Sequence, residues 1–190
     1  IGHILTLEID NALHRRGLAT RAVTILTHTE VDPGDPAFGA PTKPIGGTMT
    51  ADTARLRTVE AGWSVVQTSA GVYRRVVPSP LPLNILEADQ IQALAHSGAV
   101  VIAAGGGGIP VARDHDGWHS VDAVVDKDRA SALLAARIDL DTLVLVTGVD
   151  RVYVGFGTPH QRALSQVSAE EAPAHLAAGE FPAGSMGPKV

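Results

Sequence analysis

The sequence predicts an α/β fold, with a mainly parallel sheet covered by helices on both faces. Three observations predict it. From residue 86 onward, helical and strand patterns alternate. Residues 142–148, TLVLVTG, are almost wholly apolar, as in a strand buried on both faces. A strand pattern over 99–104 runs straight into four glycines, Gly105, Gly106, Gly107 and Gly108, at the strand end where open α/β sheets bind ligands.

Each element has a local reason. Residues 2–16 place Ile4, Leu5, Ile9 and Leu13 at helical spacing and close at Gly17. A strand over 21–28 follows. Residues 30–47, EVDPGDPAFGAPTKPIGG, are a proline- and glycine-rich loop too long to be only a connection. A helix over 50–61 stops at Gly62, and strands over 64–68 and 73–77 bracket a turn at Ala70 and Gly71. Residues 30–80 thus read as an inserted subdomain or lid, closed off by Pro78, Pro80 and Pro82. Next come a helix over 86–96 ended by Gly98, the strand into the glycines, and a hairpin around RDHDGWHSVDA. A helix over 124–138 has Asp126 as N-cap and Ala130, Leu133, Leu134 and Ile138 on its apolar face. Ser168 and Glu171 form a capping box, and Gly187, Pro188 and Lys189 read as a helix start.

Composition narrows the function classes. The 190 residues, 45% of them hydrophobic, suffice for one large domain. A net charge of -5 and a pI near 5.9 argue against nonspecific nucleic-acid binding. Cysteine is absent, which excludes disulfides and thiolate metal sites and fits a cytoplasmic protein. No apolar run approaches the roughly 20 residues of a membrane helix. Both ends read as cut, so the chain is expected to be a segment of a longer polypeptide.

Only three of the 15 basic residues are lysines: Lys43, Lys127 and Lys189. They are either scatter from codon bias or places that need a compact, mobile point charge rather than a planar fork. Lys127 stands in the first turn of a helix, where a cation opposes the dipole. Lys189 follows the glycine-rich turn GSMGPK at a helix start, which is anion-binding geometry. Lys43 sits among prolines of the lid. The four glycines either offer converging amides to an anion or make a tight bend. They are no Walker A loop, since no Gly-Lys-Ser/Thr follows, and the third glycine of a dinucleotide fingerprint is missing. Asp114, His115, Asp116 and His119 read as a solvent-facing hairpin tip, and Arg74 and Arg75 as solvated on a strand edge, so no metal site is expected.

Six stretches carry a resemblance: EVDPGDPAFGAPTKPIG, RRVVPSP, VIAAGGGGIPV, AVVDKDRASALLA, GVDRVYVGFGTPHQRAL and FPAGSMGPKV. Together, in this order, they resemble the carbamate kinases of the amino acid kinase family. The resemblance implies a three-layer αβα sandwich with a small protruding lid, a homodimer, and phosphoryl transfer between ATP and carbamate giving ADP and carbamoyl phosphate, with Mg²⁺ arriving on the nucleotide. By the same resemblance Lys43 is the lid lysine, Lys127 the catalytic lysine with Asp128 organising it, and Lys189 the lysine near the transferred phosphoryl group. Gly105, Gly106, Gly107 and Gly108 form the loop at the active site. Thr147, Asp150, Tyr153, Met186 and Gly187 lie on the nucleotide pocket. Asp128, among cations, is expected to titrate low. Three mobile ammonium groups suit a reaction that needs positioning and neutralisation of spread negative charge.

The sequence departs from the family at Gly46-Gly47-Thr48, where a Pro-Phe-Tyr run is common, at Val72 and Tyr73, and at Gly148, where many relatives carry Asp. No Gly-Gly-Asn-Ala loop is present, and the segment alone is expected to be inactive. The neighbouring readings are a sibling kinase of another carboxylate and a nucleotide-binding module without turnover. A nicotinamide dehydrogenase would need an acidic residue after a strand–glycine–helix unit, which is missing.

Overall fold

The structure is a computed structural model that describes residues 1–181 and 186–190. The Gly184-Ser185 part of the expected glycine-rich turn lies outside the described residues. The chain divides into two compact units, Ile1–Asp141 and Thr142–Val190.

In chain order the first unit holds α1 (Gly2–Arg15), β1 (Ala22–Thr24), β2 (His28–Val31), β3 (Lys43–Met49), α2 (Ala51–Ala61), β4 (Ser64–Ser69), β5 (Val72–Val77), β6 (Pro82–Ile85), α3 (Ala88–His96), β7 (Val100–Ile102), β8 (Ile109–Asp114), β9 (Gly117–Ser120) and α4 (Lys127–Arg137). Parallel pairing occurs in two sheets, β1 with β7 in a two-stranded one and β2 with β8 in a four-stranded one. β6 and β9 extend the β2–β8 pair on either side by antiparallel pairing, in the order β6-β2-β8-β9. A separate antiparallel sheet, β3-β5-β4, packs against α2.

The caps follow the sequence. Gly17 takes a left-handed φ of +68°, and the amides of Gly17 and Leu18 fold back onto the carbonyls of His14 and Leu13. Thr50 Oγ1 accepts the Thr53 amide at the start of α2. Asp126 accepts the amides of Asp128 and Arg129 at the start of α4. The apolar face expected of α4 is the one buried. Leu133, Leu134 and Ile138 pack with Ile85, Ala88 and Ile91, and Ala130 packs with Val31 and Val125.

Four local expectations are corrected. The strand expected over 21–28 is two strands, because Thr27 interrupts the ladder: its hydroxyl donates to the Ile25 carbonyl and accepts the Ala104 amide. Residues 43–49 form β3 rather than a loop; Pro44 is tolerated on this edge strand, and a register shift between Ile45 and Met49 accommodates Gly46 and Gly47. β6 begins at Pro82, also on a sheet edge, where a missing N–H costs no ladder bond. Arg74 and Arg75 stand on the central strand of their sheet. Arg74 donates to the Gly46 carbonyl at 2.8 Å, and Arg75 lies 4.6 Å from the ring centre of Trp63.

The second unit contains β10 (Val152–Val154), β11 (Arg162–Leu164), α5 (Ala172–Ala177) and a 3₁₀ turn at Gly187–Lys189. β10 and β11 pair antiparallel. The capping box forms reciprocally: the Ser168 amide donates to Glu171 Oε2 at 2.9 Å, and the Glu171 amide donates to Ser168 Oγ at 3.2 Å. The strand expected over 142–148 is not formed, and Val144 and Val146 are 76% and 89% exposed. An apolar run becomes a doubly buried strand only with partners on its edges and layers on its faces, and among the described residues none pairs with it. Among the described residues no helix is long and apolar enough to cross a membrane.

Candidate active site

In the first unit the charged groups gather at the N-terminus of α4. Lys43, on β3, reaches across 83 residues of sequence to donate through Nζ to Asp126 Oδ2. Next in the chain, Lys127 Nζ donates to Asp128 Oδ1 at 2.9 Å. Both carboxylates are buried, whereas the Lys127 side chain is 56% exposed. Burial alone would raise the Asp126 carboxyl. The Lys43 ammonium and the amides of Arg129 and Asp128 outweigh it, and Asp126 titrates below the usual carboxylate range. Two ammonium groups and the positive end of a helix are thus held beside two carboxylates that cannot move far.

The glycine run has two physical causes rather than one. A Cβ on Gly107 would lie 2.2 Å from the Val125 carbonyl oxygen, and one on Gly108 would lie 2.1 Å from Thr29 Oγ1. Thr29, fully buried, donates its hydroxyl to the Gly107 carbonyl at 2.8 Å. These two glycines are required by the chain's own packing, with the residue preceding Lys127's cap as the neighbour. Gly105 and Gly106 are exposed with open space around them. The amides of Gly105, Gly107 and Gly108 donate to the carbonyls of Ala103 and Ala104 within the turn. The tight bend left open by the sequence is therefore present.

In the second unit a cavity of about 590 Å³ is lined by Thr147, Tyr153, Phe156, Glu180, Met186 and Lys189, among others. Its size suits a nucleotide-sized ligand. Four residues expected at the site thus line one cavity: Thr147, Tyr153, Met186 and Lys189. Asp150 supports the wall by accepting the Tyr153 hydroxyl, with both carboxylate oxygens at 3.2 Å. Desolvation and the Asp150 carboxylate raise the Tyr153 phenol above its ordinary value. Gly187 opens the 3₁₀ turn that carries Lys189.

A sequence model of the amino acid kinase family matches residues 13–190. The chain belongs to the amino acid kinase family. It is 46% identical over 190 residues to carbamate kinase 3 of Staphylococcus aureus (strain USA300), and 47% identical to a carbamate kinase of Staphylococcus haemolyticus. In both cases all of this chain is aligned, and it spans 62% of the relative's length. Among solved structures, carbamate kinase from Giardia lamblia bound to AMP-PNP superposes with a TM-score of 0.86 at 38% identity, covering 99% of this chain and 60% of that one. A crystal structure from Aeropyrum pernix K1 gives 0.90 at 39% identity, covering 99% and 61%. The α/β fold class expected of this chain, with parallel strand pairing and helices, is shared with these structures.

For this member of the family the sequence pointed to Lys43, Lys127 and Asp128 but left Asp126 as a helix cap alone. Its second role, as the carboxylate that receives Lys43, depends on a contact between elements far apart in sequence. The only local signal was an acidic cap directly before a Lys-Asp pair. Asp114, His115 and Asp116 do approach one another at the β8–β9 tip, but they are exposed and Asp114 serves the turn by accepting the amides of Asp116 and Gly117.

Proposed function

We propose that the full-length protein is a carbamate kinase, transferring a phosphoryl group reversibly between ATP and carbamate to give ADP and carbamoyl phosphate. The observation that carries the reading is the delivery of Lys43 to Asp126, next to Lys127, which sets two ammonium groups at one helix N-terminus. A carbamate oxygen attacks the γ-phosphorus as the bond to the β-phosphate oxygen breaks, and ADP leaves with the electron pair. No proton has to move, so fixed positive charge and in-line placement are what the protein must supply. Lys127 and Lys43 are assigned to the anionic oxygens, with Asp128 and Asp126 as the counter-charges that aim them. Lys189 is the third ammonium group of the reaction. Gly105 and Gly106 are the members of the glycine run assigned to substrate, since no neighbouring atom crowds them; of the two, Gly105 also takes a left-handed φ of +51°.

The cavity of the second unit takes the nucleotide, with Thr147, Asp150, Tyr153, Met186 and Gly187 as its binding residues. Mg²⁺ would arrive with the nucleotide as part of that substrate, since Asp126 and Asp128 are each paired with a lysine. A lid over residues 30–80, a homodimer and a cytoplasmic location complete the proposal, supported by the β3-β5-β4 sheet, by the resemblance and by the cysteine-free composition respectively.

The test is conversion of ADP to ATP by carbamoyl phosphate with the full-length protein. ATP formation is expected. Phosphorylation of another carboxylate with none from carbamoyl phosphate would assign a sibling kinase, and nucleotide binding with no turnover on any acid would leave a binding module.

A further inference from the structure

The loop between β10 and β11 is fixed more firmly than its surface position requires. Gly155 adopts a left-handed φ of +61°, and a Cβ there would meet Thr158 Oγ1 at 3.1 Å and the His160 carbonyl oxygen at 3.2 Å. The Gly155 carbonyl accepts both the amide and the hydroxyl of Thr158, at 3.0 and 2.7 Å. The Gly157 amide donates to Gln161 Oε1 at 2.8 Å. These bonds are internal to the loop. The brace from outside is Glu180, whose Oε2 accepts the Gly155 amide at 2.6 Å. A carboxylate at that distance makes a charge-assisted bond, stronger than a neutral one.

What the loop displays gives the brace a purpose. Phe156, next to Gly155, is 69% exposed, and its ring centre lies 6.2 Å from that of Tyr153. Both residues line the 590 Å³ cavity, as do Gly155 and Glu180. An exposed aromatic on a mobile loop would lose affinity to ordering, whereas one on a backbone held at both amide and carbonyl is already in its binding position.

We propose that Glu180 is a positioning residue for nucleotide binding: by holding the Gly155 amide it presents Tyr153 and Phe156 as a fixed wall for the base. This rests on the reading of the cavity as the nucleotide site. Glu180 acts through Gly155 and touches no reacting atom, so its effect belongs to nucleotide affinity and not to the transfer step.

The test compares Glu180→Ala and Glu180→Gln in the full-length protein. Mg-ADP affinity is measured by calorimetry, kcat and both KM values by ATP formation, and backbone amide exchange over residues 152–164 by mass spectrometry. Glu180→Ala is expected to weaken Mg-ADP binding about tenfold and to raise the KM for ADP by a similar factor. It should leave kcat and the KM for carbamoyl phosphate within about twofold and speed exchange in the loop. Glu180→Gln retains an acceptor oxygen and should stay within about threefold of the parent in ADP affinity. Should Glu180→Ala not fold, Glu180→Asp, one methylene shorter, carries the same expectation. Unchanged ADP affinity in Glu180→Ala would overturn the proposal. So would a fall in kcat together with melting temperature, or a Glu180→Gln variant as weak as Glu180→Ala, which would move the role from the Gly155 bond to the charge. A parent protein that binds Mg-ADP without using carbamoyl phosphate would sink the carbamate reading while leaving the binding and exchange predictions for Glu180 in force.

Discussion

Around the N-terminus of α4, Lys43 pairs with Asp126 and Lys127 with Asp128, whereas the lining of the second unit's cavity includes Val149, Tyr153, Phe156 and Phe181 beside its charged residues. The first arrangement fixes charge by pairing it with charge. The second fixes shape by bracing backbone. They teach that substitutions should separate in kinetics: the lysines, Lys189 included, should change turnover, and the aromatic wall of the second unit's cavity affinity for nucleotide.

The largest expected break is Lys127→Ala in the full-length protein, which should lower turnover at least ~100-fold, the scale of one preorganised charge contact. A loss below about tenfold would remove Lys127 from its assigned role. Gly107→Ala comes next and acts by a different route. Its Cβ has no room against Val125, so stability should fall by roughly 2 kcal/mol in a denaturant titration, whereas Gly106→Ala, in open space, should change it by less than about 0.5 kcal/mol. Equal effects would mean that the four glycines share one cause.

Tyr153→Ala should raise the KM for ADP about tenfold with kcat nearly unchanged, the loss expected of one aromatic wall. A matching drop in kcat would erase the division between the two regions. The smallest effect is Asp126→Asn, which keeps a capping oxygen but not the charge. The Asp126 carboxyl titrates low in the folded protein, so its contribution is present above the unfolded value near 3.9 and is lost as pH falls through the lowered folded value. The parent should therefore melt about 2–4 °C above the variant at pH 7, with the gap closing below about pH 4. A gap that widens on acidification would contradict the Lys43 pairing.

How far the sequence could be read depended on how local each cause is. Gly17, Gly62, Ser168 with Glu171, and Asp126 as a cap are decided within one helical turn, and each was legible. The α4 face was legible because its period repeats over three turns. Residues 142–148 misled because apolar composition reports what a strand would need and not whether partners exist. β3 and β6 were hidden by Pro44 and Pro82, which weigh against strands in general and are tolerated on the edges these two occupy. At the site, the resemblance marked Lys127 and Asp128, which are neighbours in sequence, while their residue types alone left a helix start as the other account. The Lys43–Asp126 contact and the Glu180–Gly155 brace join positions 83 and 25 residues apart, and no local pattern encodes them.

The solvent-facing stretch Thr142-Leu143-Val144-Leu145-Val146-Thr147 has a practical consequence. Six residues, four of them Val or Thr of high β-propensity and two of them Leu, without charge, proline or glycine, are the composition that stacks copy upon copy into fibrils. In concentrated solution this 190-residue chain is expected to self-associate first along that stretch, and flanking it with charge is the direct way to keep it dispersed.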